Sequence, residues 1–108
     1  MAATKEQAIM IHAKRRFDER YGIMLTRDLH QELVTNIQTG YLANFLLSQS
    51  NRVSVWTVDI ARRYVPKGEN YSAIPVAYDK TRKLLVTALP LICMDVNKIG
   101  LYANEWLM

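Results

Sequence analysis

Residues 26–58 read TRDLHQELVTNIQTGYLANFLLSQSNRVSVWTV, and the hydrophobic period changes inside them, at Gly40. Before that glycine, Leu29, Leu33 and Ile37 recur every fourth residue with Val34 beside them, which is the spacing of one helix face. Thr26 is placed to cap this helix, Asp28 complements the positive end of its dipole, and Gly40 supplies a left-handed residue to end it. After Gly40 the period falls to two. Val53, Val55 and Thr57 alternate with Ser54, Trp56 and Val58, so residues 52–58 form a strand with two distinct faces. Tyr41–Ser48 reads as a strand too, although its apolar run also fits a helix, and the cluster Ser48–Asn51 makes the turn between them.

Toward the N-terminus the same reasoning gives a first helix over residues 4–21. Thr4 is its N-cap, Gln7 stands where a capping-box partner belongs, and Gly22 stops it. Met10, Ala13, Phe17 and Tyr21 share a narrow stripe, with Ile9 on one shoulder. His12, Arg16 and Arg20 run along that shoulder at roughly 200°, 240° and 280° from Met10 on the 3.6-residue wheel, with Arg20 nearest the stripe.

Toward the C-terminus, residues 59–72 carry Pro66, Gly68 and Asn70 and read as a loop. Ile74–Tyr78 and Lys83–Leu89 read as strands joined by the turn Asp79–Arg82, and Pro90 ends the second. The tail from Leu91 to Met108 fits no single period; Leu101, Glu105 and Met108 can share one short helix, with Trp106 on the core. The order is α-α-β-β-β-β plus a tail. Short turns between successive strands make the sheet an antiparallel meander, and two N-terminal helices cover one face of it in an α+β fold.

A chain of 108 residues, half of them hydrophobic and 22% charged, is one domain (1–108) with a core of its own. No apolar run approaches the ~20 residues that cross a bilayer, and the opening Met-Ala-Ala-Thr-Lys-Glu-Gln lacks the apolar centre of a secretory signal. Cys93 stands alone, which excludes an internal disulfide and fits a reducing compartment. Together these point to a cytoplasmic protein with no membrane contact.

The net charge of +4 matters less than its clustering. Lys14 and Arg15 lie on the first helix, Arg62 and Arg63 in the long loop, Lys80 and Arg82 in the last turn. If they converge they make a phosphate-binding surface for RNA; if they point apart they are solubilising charge. The residues suggest neither a cofactor nor a metal: there is no glycine-rich phosphate loop, no zinc-ligand spacing, and His12 and His30 sit on different helices.

His12 with Arg16 and Arg20 is the group that points to chemistry. An imidazole moves a proton near neutral pH, and a guanidinium holds a phosphate through two hydrogen bonds. Metal-free RNA cleavage needs a base at the 2′-hydroxyl, cations at the phosphate and an acid at the leaving oxygen. The plainer alternative is that Arg16 and Arg20 pair with Asp18, Glu19 or a strand carboxylate, with Asp59, Asp79, Asp95 or a ring of carbonyls saturating a half-buried Arg20, and that His12 is merely exposed. Tyr64, Tyr71 and Tyr78 accompany the basic segments, either stacking on bases or half-buried, while Trp56 and Trp106 read as core or interface anchors.

The stretches HAKRRFDERYGI and LTRDLHQELVTNIQTG resemble the opening of a family of small prokaryotic and phage domains, and VAYDKTRKLLVTALP resembles their closing hairpin. These domains are similar to the RelE and barnase/colicin-type RNase fold. The resemblance spans about residues 8–40 and 74–90. It implies a metal-independent endoribonuclease of toxin type, with His12 as general acid or base, Arg16 and Arg20 as phosphate ligands and Thr87 as the fourth matching position. RNA and an antitoxin are the implied partners, and a homo-oligomer is compatible with both. Unlike RelE toxins the chain has no strongly basic C-terminal tail. The alternative is therefore a non-catalytic phage-type protein that binds and inhibits a host protein.

Overall fold

A computed structural model describes residues 4–106. Two helices, α1 (Lys5–Tyr21) and α2 (Arg27–Thr39), precede the strands β1 (Ala43–Ser48), β2 (Val53–Asp59), β3 (Ala73–Asp79) and β4 (Leu84–Ala88). The strands pair in chain order, all antiparallel, as one four-stranded sheet. The helix boundaries follow from their caps. Thr4 and Gln7 exchange side chain-to-backbone hydrogen bonds in a complete capping box, and Thr26 accepts from the Leu29 amide. Gly22 and Gly40 end the helices with φ of 65° and 74°.

Ala13, Phe17 and Tyr21 of α1 and Leu29, Leu33, Val34 and Ile37 of α2 pack on one sheet face, against Val58, Ile74, Val76, Tyr78 and Leu85. The apolar run Phe45–Leu47 is strand, and its poor alternation has a local cause. Phe45 pairs with Trp56 and Leu47 with Val55, so Leu46 is the extra residue of a β-bulge.

The tail covers the other sheet face, which the sequence left open. After Pro90 it forms two 3₁₀ segments, Leu91–Met94 and Val96–Glu105. Cys93, Ile99 and Trp106 pack on Val53, Val55, Ala77, Val86 and Leu89. The expectation that Leu101 and Glu105 share a helix face is corrected: Leu101 is exposed and Glu105 is buried, because the segment winds with about three residues per turn. Met108 lies outside the described residues. Among the described residues no helix is long and apolar enough to cross a membrane.

Candidate functional site

α1 lies along β4, and the tail comes up against both from the opposite sheet face. At this three-way junction the flank of α1 that carries His12, Arg16 and Arg20 meets Thr87 of β4 and Glu105 of the tail. Thr87 pairs with Ala77 in the sheet, and Ala77 faces the tail, so the Thr87 side chain lies on the tail side of the sheet. It donates to Glu105 Oε1 at 2.7 Å. Arg20 holds the same carboxylate with both terminal nitrogens, Nη1 to Oε1 at 2.9 Å and Nη2 to Oε2 at 2.6 Å. Its Nη1 also donates to the Ala88 carbonyl at 2.7 Å. Such a two-point fork is the strongest geometry available between these groups. Glu105 is 6% exposed and the Arg20 side chain 19%, so removing either partner strands a buried charge, a loss of about 3–5 kcal/mol.

Arg16 and His12 complete the ring less tightly. Arg16 Nε stands 3.4 Å and His12 Nε2 3.6 Å from Glu105 Oε1. Both nitrogens are buried without a hydrogen-bond partner, while Arg16 Nη1 reaches out to Glu19 at 3.0 Å. The Tyr102 ring lies under the Arg20 guanidinium, 5.5 Å away. The four residues singled out as catalytic thus converge. What they converge on is a carboxylate of the chain itself.

The electrostatics follow from that packing. Burial works against the ionised form of Glu105, but the hydrogen bonds from Arg20 and Thr87 and the charges of Arg20 and Arg16 outweigh it and hold the carboxyl below its ordinary range. Burial pushes the His12 pKa down, the Arg16 charge adds to this, and the pull of Glu105 offsets it only in part. His12 is therefore neutral in the fold at pH 7, and its side chain is 20% exposed.

The partner of Arg20 is thus neither Asp59, Asp79 nor Asp95. Asp79 is occupied at the other end of α1, where it caps the amides of Thr81 and Arg82 and pairs with Arg82 and Arg52. Asp95 caps the second tail segment. The one signal for Glu105 was that a half-buried arginine requires a carboxylate; a tail without a readable period could not show which.

The six residues expected to bind RNA do not form one cluster but are spread along the length of α1. Arg82 reaches Glu6 in the first turn of α1, so Lys80 and Arg82 sit at that helix end. Arg62 and Arg63 belong to the loop whose Pro66 abuts Gly22 at the other end, ~25 Å along a 17-residue helix. Arg63 is paired with Glu32 and stacked on Tyr64. Lys14 lies on the opposite shoulder of α1, where with Met24 and Thr26 it lines a groove toward α2, and Arg15 faces outward. Tyr71 and Tyr78 are structural: Tyr71 donates to the Tyr21 carbonyl, and the Tyr78 hydroxyl accepts from Gln38. His30 is structural as well, its Nε2 accepting the Leu85 amide at 3.2 Å.

A surface cleft of about 230 Å³, lined by Arg20, Tyr21, Glu69, Tyr71, Pro90 and Leu91, opens beside the Arg20 end of the junction. The chain matches no protein-family model, no curated protein and no solved structure.

Proposed function

We propose that this chain is an RNA-binding domain that cleaves RNA with its own side chains, an endoribonuclease of toxin type. One observation carries the reading. An imidazole, two guanidinium groups and a hydroxyl, drawn from α1 and β4, close on a single anionic group. That group is the Glu105 carboxylate in the free chain; with RNA bound, the scissile phosphate takes its place, and each side chain then has a task. Arg20 forks two of its oxygens, Arg16 neutralises the charge that grows on them, and the Thr87 hydroxyl donates to a non-bridging oxygen. His12, neutral at pH 7, takes the proton of the 2′-hydroxyl as its oxygen attacks phosphorus. The bond from phosphorus to the 5′-oxygen breaks, that oxygen takes a proton from water, and the products end in a 2′,3′-cyclic phosphate and a 5′-hydroxyl. Expression of the intact chain should arrest growth and leave such ends in cellular RNA, and His12→Ala should relieve the arrest at equal protein level. Unchanged arrest in that variant would defeat the catalytic role of His12.

A second reading, a non-catalytic protein that docks on a host protein or an antitoxin, is favoured by the outer surface of the tail. Leu91, Ile92, Met94, Val96 and Leu101 are all exposed there. On this reading Ile92→Glu abolishes the biological effect and His12→Ala does not.

A further inference from the structure

The Glu105 carboxylate leaves part of the donor set around it unused. Its Oε1 already accepts from Arg20 and from Thr87, which fills the two lone pairs of that oxygen. Arg16 Nε and His12 Nε2 aim at the same oxygen from successive turns of α1, stand at 3.4 and 3.6 Å, and remain without a hydrogen bond although buried. Buried polar nitrogens without partners are uncommon in a native fold, and two that converge on one point mark a pocket that Glu105 fills incompletely. A carboxylate offers two oxygens in one plane. A tetrahedral oxyanion offers further oxygens outside that plane, to which unpaired donors can bond.

From this we infer that His12, Arg16, Arg20 and Thr87 form a phosphate-oxyanion site, and that Glu105 is its internal occupant, displaced when a phosphate group binds. The exchange replaces one anion by another, so Arg20 keeps a counter-charge throughout. The leaving group is weakly held by its own backbone: Glu105 ends a ten-residue 3₁₀ run, a geometry with poor hydrogen bonds that seldom continues past three or four residues. Of the four donors, Arg20 alone lines a surface cleft, together with Glu69, Tyr71 and Pro90. That the phosphate belongs to RNA rests on the function proposed above; the oxyanion site does not depend on it.

The test is anion rescue of Glu105→Ala in the full chain, with thermal unfolding followed in phosphate, acetate and chloride at matched ionic strength. Inorganic phosphate should raise the melting midpoint of the variant by roughly 10 °C at a hundredfold excess over its Kd, and that of the parent far less. If the variant is unfolded without an anion, the same result reads as folding on addition of phosphate. Rescue by acetate that equals or exceeds rescue by phosphate would show a pocket shaped for a carboxylate and overturn the inference, as would a phosphate effect no larger than that of chloride. Glu105→Gln, which keeps the side-chain shape, should bind a short single-stranded RNA about tenfold tighter than the parent, because the occupied state no longer competes. Equal RNA affinity in both proteins would overturn the displacement of Glu105 and leave RNA binding standing. Phosphate rescue without RNA binding by either protein would leave the oxyanion site standing and overturn RNA as its source.

Discussion

Glu105 and the two histidines set the acid limit of this fold. Both histidine pKa values lie below the ordinary 6.5, His12 through burial and the charge of Arg16, and His30 through burial and the charge of Lys14. A histidine whose folded pKa is depressed binds fewer protons in the fold than in the unfolded chain. Stability is therefore highest above 6.5 and falls as pH drops from 6.5 toward the folded values. Protonation of His30 also removes the acceptor of the Leu85 amide. Glu105 acts lower down: its folded pKa lies below the ordinary 4.5, so its contribution is complete above 4.5 and is lost as pH falls through the folded value. Urea midpoints taken from pH 8 to 3 should decline in two stages, the first just below 6.5 and weakened by His30→Gln, the second below 4.5. A flat profile between pH 7.5 and 5 would contradict the burial assigned to both imidazoles. The same residues show how far a sequence reaches. The row His12, Arg16, Arg20 was readable because helix geometry converts spacing into direction, whereas Glu105, 85 residues from Arg20, has only distance in space to connect it.

The elements that the chain declares most clearly are those with a local stop. Gly22 is the sharpest case, because two demands meet there. Its φ of 65° is left-handed, and a Cβ added to it would lie 3.0 Å from Pro66 Cγ, where the long loop closes on the end of α1. Gly22→Ala should lower stability by about 1–2 kcal/mol in chemical denaturation, more than a change of helix propensity alone, whereas Gly40→Ala, with open space around its Cβ, should cost less. Equal losses at the two sites would remove Pro66 from the account. The helices and strands were legible for this reason: caps, glycine stops and two hydrophobic periods all act within a few residues. β1 was legible only in part, since the bulge at Leu46 breaks its alternation. The tail was not legible, because a 3₁₀ run has neither period and owes its place to the apolar underside of the sheet, to which Cys93, Ile99 and Trp106 are fitted.

At the scale of the molecule, the sheet lies between two unequal covers, regular helices on one face and an irregular tail on the other, and the candidate site sits on the seam where both meet β4. That position explains why four functional candidates from α1 and β4 come together while the six other basic residues do not: the seam is a single line along α1, and Arg62–Arg63 and Lys80–Arg82 flank its two ends. RNA held at the seam would be gripped mainly by Arg16 and Arg20 at one phosphate, so its affinity should depend on salt with a shallow log–log slope, about −0.7 for a single strand. The central claim is that this seam receives an RNA phosphate. Its most direct test is an NMR titration of the full chain with a short single-stranded RNA, reading the guanidinium Nε–Hε signals of Arg16 and Arg20 and the ring protons of His12. The account predicts that these signals shift together at one affinity and that the Arg63 and Arg82 signals stay in place. Shifts confined to Arg62, Arg63, Lys80 or the apolar outer surface of the tail, with His12, Arg16 and Arg20 unmoved, would contradict it.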